Sequence, residues 1–271
     1  MKPKKTLGQH FLTSQKAILD IVKAGELLKN DLVLEIGPGQ GVLTEKLLES
    51  GVKVLAIEKD GDLVEFLKEK FLKEIKAGDL KILHQDILKT SIPEIFDPKQ
   101  ELKYKLIANI PYNITGSILQ KFLSEKIKPD LMVLLIQKEV AERIIAKNGK
   151  ESILSLAVKF YCDDNNPPKI ISKVSAGSFF PKPKVDSAII KIRLSQGLKH
   201  NKDKKQEELY FEIVKKAFAH KRKMMLGNLK ALKGEIVWDK IFTESKIDKK
   251  IRAEDLKKKD FLKIVESVMK K

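Results

Sequence analysis

"DLVLEIGPGQG", Asp31 to Gly41, is the stretch whose reading decides the fold. Leu32 to Ile36 is an apolar run of strand length, broken only by Glu35. It passes straight into Gly37, Gly39 and Gly41, and then into Val42 to Ser50, where Leu43, Leu47 and Leu48 recur at helical spacing. Strand, glycine turn and helix in succession make the first half of a βαβ unit. Glycines let a ligand approach the backbone, and the amides that open a helix favour a carboxylate or phosphate. The turn is not a phosphate-binding P-loop, because no Gly-Lys-Ser/Thr follows. Nor is it a full G-x-G-x-x-G, because Val42 stands third after Gly39.

Downstream, "VKVLAIEKD" is a second apolar strand with an acidic end at Glu58, and Asp60 to Ile75 reads as a helix. "LKILHQD" is a third strand, closing at Asp86. "KLIANIPY" is a fourth and "LMVLLIQ" a fifth, with Ile118 to Leu123 in the helix between them. Upstream, Ser14 to Lys29 reads as an amphipathic helix carrying Ile18, Ile21, Val22 and Leu28. This alternation predicts an α/β fold, a parallel sheet with helices on both faces. Ligands of such sheets sit at the carboxyl ends of the strands, where Gly37, Glu58, Asp86 and Asn109 all fall. From about Ile170, "KIISKVSAGSFFPKPKVDSAIIKIRL" predicts two strands around a proline-rich turn, an antiparallel finish to the sheet. "SQGLKHNKDKKQ" is polar and reads as a linker. Beyond it Glu207 to His220, the region after Arg222, Glu235 to Glu244, and Glu254 to Met269 predict short helices. The expected domains are residues 1–195, α/β, and residues 206–271, small and all-helical.

The chain has 271 residues, 42% of them hydrophobic, enough for a packed core. Its longest strongly apolar run, Leu131 to Ile136, is far short of the ~20 residues that span a bilayer. "MKPKKTLGQHFL" has no apolar stretch of signal-peptide length. A soluble cytoplasmic protein without a membrane partner is expected. Cys162 is the single cysteine, and His10, His84, His200 and His220 are scattered, so neither a disulfide nor a metal is expected. A net charge of +17 suits a polyanion, since neutralising phosphates releases their counterions. Gln196 to Lys271 holds 22 basic against 12 acidic residues, so the charge is concentrated there. The "HKRK" run, with Lys221, Arg222 and Lys223, is expected to hold nucleic-acid phosphates without reading bases.

Glu58, at the end of its strand, can accept two hydrogen bonds from ribose hydroxyls. Asp86 can accept one from an adenine amino group. With the glycine turn they describe a site for a nucleoside-bearing cofactor. "NIPYN" then raises a question of chemistry. A nucleobase amino group is a poor nucleophile, because its lone pair is delocalised into the ring. Two acceptors aimed at its hydrogens favour a pyramidal nitrogen with an outward lone pair. The Asn109 side-chain oxygen and the Ile110 carbonyl can supply them. Pro111 fixes the turn and brings no amide hydrogen, and Tyr112 offers a face for the base to stack on.

In this order "EIGPGQG", "AIEKD", "HQD" and "NIPYN" resemble a class I S-adenosylmethionine-dependent methyltransferase acting on an adenine amino group. "TLGQHFL", "FFPKPKVDSA", "FAHKRKMMLGNL" and "IRAEDL" are similar to segments of the ribosomal small-subunit RNA adenine dimethyltransferase family, the KsgA type. The likeness runs over nearly the whole chain. It implies a Rossmann-like methyltransferase domain with a small helical C-terminal domain, and S-adenosylmethionine as cofactor. It also implies a monomer that transfers two methyl groups to each of two adjacent adenosines near the 3′ end of small-subunit ribosomal RNA, in the assembling subunit. Residue by residue, it puts Gln9, His10 and Leu12 over the methionine end of the cofactor and Gly37 and Gly39 along its backbone. Glu58 falls at the ribose, Asp86 at the adenine, and Asn109 between cofactor and target. Phe179 would close on the face of a flipped base opposite Tyr112, with Phe180 as its core neighbour. Many members have Asn where His10 stands, and a more arginine-rich run where "HKRK" stands. Two other readings share these residues: a large-subunit RNA adenine methyltransferase of the antibiotic-resistance type, and a non-catalytic RNA-binding assembly or transcription factor. "GQHFL" and "PKPKVDSA" favour the small-subunit type, and the intact Glu58, Asp86 and Asn-x-Pro-Tyr set favours catalysis.

Overall fold

The computed structural model describes residues 3–4, 7–96, 103–195, 204–220, 222–231 and 237–270. In chain order the elements begin with β1 (Phe11–Leu12), α1 (Gln15–Ala24), β2 (Leu32–Ile36), α2 (Val42–Glu49), β3 (Lys53–Glu58), α3 (Gly61–Lys70) and α4 (Leu72–Ala77). They continue with β4 (Leu80–His84), α5 (Ile92–Ile95), β5 (Tyr104–Asn109), α6 (Thr115–Ser124), β6 (Leu131–Gln137), α7 (Lys138–Ile145) and α8 (Ile153–Phe160). Then come β7 (Lys169–Val174), β8 (Phe179–Phe180) and β9 (Ser187–Arg193), followed by α9 (Lys204–Ala217), α10 (Met225–Leu229), α11 (Trp238–Glu244) and α12 (Lys258–Met269).

Seven strands form one sheet in the order β4-β3-β2-β5-β6-β9-β7. The first five are parallel. β9 runs antiparallel to β6, and β7 antiparallel to β9. The strand order reverses between β2 and β5, which leaves a crevice at their carboxyl ends. Successive residues of a strand face opposite sides, and here both sides are buried. Leu34 and Ile36 of β2 join one hydrophobic cluster with α6, α7 and α8, while Val33 joins a second with α1 and α2. Sequestration on both faces explains why β6 reads as a continuous apolar run without alternation. The C-terminal helices extend the first cluster. Phe160 of α8 meets Tyr210 of α9 at 4.4 Å between ring centroids, and Tyr210 meets Phe261 of α12 at 6.3 Å. Among the described residues no helix is long and apolar enough to cross a membrane.

Several expected boundaries shift. The first helix ends at Ala24, not Lys29, because Gly25 caps it and Glu26 adopts φ 46°; Leu28 is left 70% exposed. Asp60 to Ile75 is two helices, broken at Phe71, whose backbone leaves helical geometry and whose ring turns into the core. The third strand stops at His84, so Asp86 sits two residues past it. The expected linker ends three residues early, since Lys204 already opens α9; residues 196–203 lie outside those described.

Candidate active site

The crevice is a cleft, open to solvent, at the ends of β2, β3, β4 and β5. Gln9, His10, Leu12, Gly37, Gly39, Glu58, Asp86, Asn109, Ile110 and Tyr112 all line it. These residues are scattered over a hundred positions, and parallel strand ends bring them together. The segment before β1 forms the roof. At one side Gln9 Nε2 donates to Asp60 (2.9 Å), and Lys4 Nζ pairs with Asp60 (2.5 Å) and Asp62 (2.6 Å). At the other, a Cβ on Gly8 would stand 3.1 Å from the Asn113 side chain. Between them the Phe11 ring lies over the glycine turn.

Gly37 and Gly39 both have positive φ, 64° and 60°. A side chain at Gly39 would strike the Phe11 ring at 3.1 Å, whereas one at Gly37 would meet nothing within 4 Å and would project into free space. The turn thus exposes backbone to whatever fills the cleft. Glu58 fastens it: Oε2 accepts from Gly39 N–H (3.2 Å), and Oε1 accepts from the N–H groups of Lys59 (2.8 Å) and Asp60 (2.9 Å). Burial pushes the Glu58 carboxyl above its usual range, and these three N–H groups oppose the shift. Asp86 lies lower. Partial burial works against its ionisation, but Lys59 (3.0 Å) and the Leu88 N–H (3.0 Å) outweigh that and hold its carboxyl below the usual range.

Glu35, on the inner face of β2, is 1% exposed and accepts a single bond, from Thr44 Oγ1 of α2 (2.7 Å). Burial pushes its carboxyl up to about 8, and the Glu58 charge adds to the shift. Of these two buried acids Glu35 carries the proton, because Glu58 has three N–H donors to hold its charge and Glu35 has only a hydroxyl. The consequence for stability has a definite sign. Between about 4.5 and 8 the folded chain holds a proton that the unfolded chain releases, so stability falls as pH rises across that window. The full loss is on the order of 5 kcal/mol. Glu35→Gln should remove it. Denaturation midpoints of the variant relative to the parent should rise from pH 5 to pH 8.5, and parallel pH profiles would refute the protonated state.

At the end of β5, Asn109 Nδ2 donates to the His10 carbonyl (3.2 Å). That bond fixes which end of the amide faces the roof and leaves Oδ1 as an acceptor for another group. Ile110 N–H is spent on the Leu135 carbonyl (3.2 Å), and Pro111 has none to give. Tyr112 is held by its hydroxyl against Ser187 Oγ (2.6 Å), and burial keeps that phenol above its usual range and neutral. Its ring carries the imidazole of His10, centroids 5.8 Å apart and 22° from parallel. His10 Nδ1 is also within 2.6 Å of the Pro181 carbonyl. His10 therefore sits on the Tyr112 side of the cleft, next to the expected target.

The remaining candidates lie outside the cleft lining. Phe179 is 4% exposed, opposite Leu12 in the β1–β8 ribbon and packed in the second core cluster. Phe180, expected in the core, is instead 63% exposed, because the alternation of the ribbon turns it outward opposite Phe11. Arg222 and Lys223 are exposed in the turn before α10, far in sequence from any cleft residue; Lys221 is outside the described residues. Sequence reading passed over Glu35, Phe11 and Asp60 as parts of the site. The acid in an otherwise apolar strand was the one available signal for Glu35. The pairing of Asp60 with Lys4 and Gln9 leaves no local trace.

The cleft fits a nucleoside-bearing cofactor: acidic acceptors at two strand ends, an open glycine backbone, and no bulky side chain at Gly37. The comparisons agree. A model of ribosomal RNA adenine dimethylase matches residues 1–270. The ribosomal RNA small subunit methyltransferase A of Clostridium botulinum is 41% identical over 268 residues, covering 97% of this chain and 93% of that protein. Its counterpart in Dehalococcoides mccartyi is 42% identical over 229 residues, 84% of this chain and 75% of that one. A dimethyladenosine transferase structure from Plasmodium falciparum superposes with a TM-score of 0.79 at 26% identity, covering 96% of this chain and 98% of its own. The 23S rRNA methyltransferase ErmE shares the fold, with a TM-score of 0.75 at 23% identity over 96% of this chain and 99% of its own. The chain belongs to the ribosomal RNA adenine dimethylase family of S-adenosylmethionine-dependent methyltransferases.

Proposed function

We propose that this enzyme methylates the exocyclic amino nitrogens of two adjacent adenosines near the 3′ end of small-subunit ribosomal RNA, twice each, in the assembling small subunit. The observation that carries the reading is the turn after β5. It sets an amide held by the His10 carbonyl, a proline-fixed peptide and an aromatic ring side by side in a nucleoside cleft. Relatives 41% and 42% identical that bear the small-subunit name support this RNA over the large-subunit one.

S-Adenosylmethionine, when bound, supplies a methyl group on a positively charged sulfur. Glu58 takes the ribose hydroxyls, Asp86 the adenine amino group, and Gly37 and Gly39 the backbone of the cofactor, under the roof of Gln9, His10 and Leu12. Asn109 Oδ1 and the Ile110 carbonyl accept the hydrogens of the target amino group and free its lone pair. Tyr112 supports the base by stacking, an interaction worth ~1–3 kcal/mol. Phe179, paired with the cleft-lining Leu12, serves the other face of the base. The nitrogen proton, acidic after methylation, leaves to water, so catalysis rests on orientation. Small-subunit particles lacking the modification, incubated with the enzyme and cofactor, should show two adjacent primer-extension stops. Stops confined to large-subunit RNA would reject the assignment.

In this reading residues 1–195 are the catalytic domain, residues 206–271 bind RNA, and the protein acts as a cytoplasmic monomer. Arg222 and Lys223 support it by being exposed and by having no ion pair among the described residues. Replacing Lys221, Arg222 and Lys223 together by glutamine should weaken particle binding. It should also flatten the log affinity against log salt plot by ~0.7–0.9 for each phosphate no longer neutralised. Cofactor affinity should not change. An unaltered salt slope would take this run out of the RNA footprint.

A further inference from the structure

The β1–β8 ribbon carries a surface that this mechanism does not use. Phe180 presents 63% of its area to solvent, and the only other exposed Phe, Tyr or Trp among the described residues is Phe66, at 36%. Single exposed hydrophobic residues are ordinary on protein surfaces. This one differs in how firmly it is held and in its neighbours. On one side, the Ser178 carbonyl accepts from Thr13 N–H (2.8 Å) and Thr13 Oγ1 (3.0 Å). On the other, the Pro181 carbonyl meets His10 Nδ1 (2.6 Å), and His10 stacks on Tyr112. Its strand partner Phe11 rests on the glycine turn. The far end of the loop is tied as well, with the Asp186 carbonyl accepting from Lys138 N–H (3.0 Å) and its carboxylate from Ala176 N–H (3.0 Å). Between these anchors Lys182 and Lys184 are exposed and have no ion pair among the described residues, and Val185 is 44% exposed.

A pinned aromatic face beside two free cations matches one chemistry well. Single-stranded nucleic acid is held by base stacking together with phosphate neutralisation. We propose that Phe180 is a stacking platform for the nucleotide next to the one in the cleft, with Lys182 and Lys184 on the phosphates of the same strand. Flipping a base out of a strand leaves its neighbour unstacked, and Phe180 replaces the missing stacking partner. The occupant is RNA rather than an apolar protein segment, because the patch is cationic and continuous, through His10 and Tyr112, with the wall of the cleft. The inference rests on the cleft being the adenosine site.

Phe180→Ala, Phe180→Trp and the Lys182→Gln/Lys184→Gln pair test it on naked small-subunit RNA and on protein-containing particles. Phe180→Ala should raise the RNA dissociation constant and the KM about tenfold while leaving kcat and cofactor affinity unchanged. Phe180→Trp should restore binding. Its added indole should be quenched by RNA, against the buried Trp238 as internal reference. The lysine pair should lower the salt slope by ~0.7 for each phosphate it ceases to neutralise. If Phe180→Ala binds naked RNA like the parent, the platform is overturned. The same holds if binding falls only for particles, because the patch then docks a protein. The parent's own methylation pattern judges the reading of the cleft separately. A parent that leaves these adenosines unmodified, with Phe180→Ala still weakening RNA binding, would reject that reading and keep the platform.

Discussion

Replacing Asn109 by alanine should lower the single-turnover methylation rate by roughly 10²- to 10³-fold, the loss seen when one positioned hydrogen-bonding group is removed from a transition state. The amide is needed most when the target nitrogen turns pyramidal, so its loss should appear in the rate and hardly at all in cofactor or RNA affinity. The structure sharpens this expectation. Nδ2 is committed to the His10 carbonyl at 3.2 Å, so the side chain cannot rotate its donor end toward the base without giving up that bond. Asn109→Asp is the informative companion. It keeps an acceptor but forfeits the bond to His10, so it should retain more activity than alanine and less than the parent. A near-normal rate for Asn109→Ala would remove the residue from catalysis, whatever its effect on binding.

Glu58→Ala should weaken S-adenosylmethionine binding about 100-fold, the cost of two hydrogen bonds to a charged acceptor. The ribose is only part of the reason. The same carboxylate accepts from Gly39, Lys59 and Asp60 in the cofactor-free chain, so alanine leaves three donors unsatisfied and frees the glycine turn that carries the cofactor backbone. Glutamine should not rescue it, because its amide would turn a donor toward N–H groups. Titration calorimetry with and without a chelator measures both points. Binding should survive the chelator, and an unchanged affinity in either variant would take Glu58 out of the site.

Much of the site could be read without coordinates. Leu32 to Ile36 and Lys53 to Glu58 form neighbouring parallel strands, with Ile36 beside Ile57, and this register brings the glycine turn and Glu58 together. Asn109 was legible for a similar reason: an apolar strand that ends in a carboxamide, a proline and an aromatic has little to gain from packing alone. Helix ends were read less well. Leu28 fits the helical spacing of Ile18 and Ile21, yet Gly25 stops the helix before it. Phe71 breaks what looked like one helix, because its ring fills the space beneath Gly41, where a Cβ would lie 2.5 Å from it.

The sequence by itself determined what depends on local order: the alternation of strand and helix, the glycine turn, the strand-end acids and the Asn-x-Pro-Tyr turn. In a parallel sheet strand ends converge, so local order implies a shared site. Tertiary structure alone decided the rest. Lys4 and Gln9 close the roof on Asp60 across more than fifty residues, and Glu35 is protonated only because the fold strips water from it and sets Glu58 nearby. Phe179 and Phe180 make the point most simply. They are adjacent and chemically identical, so composition and spacing do not say which ring is buried. Pairing with Leu12 and Phe11 in a two-residue strand turns one ring into the core and the other to solvent.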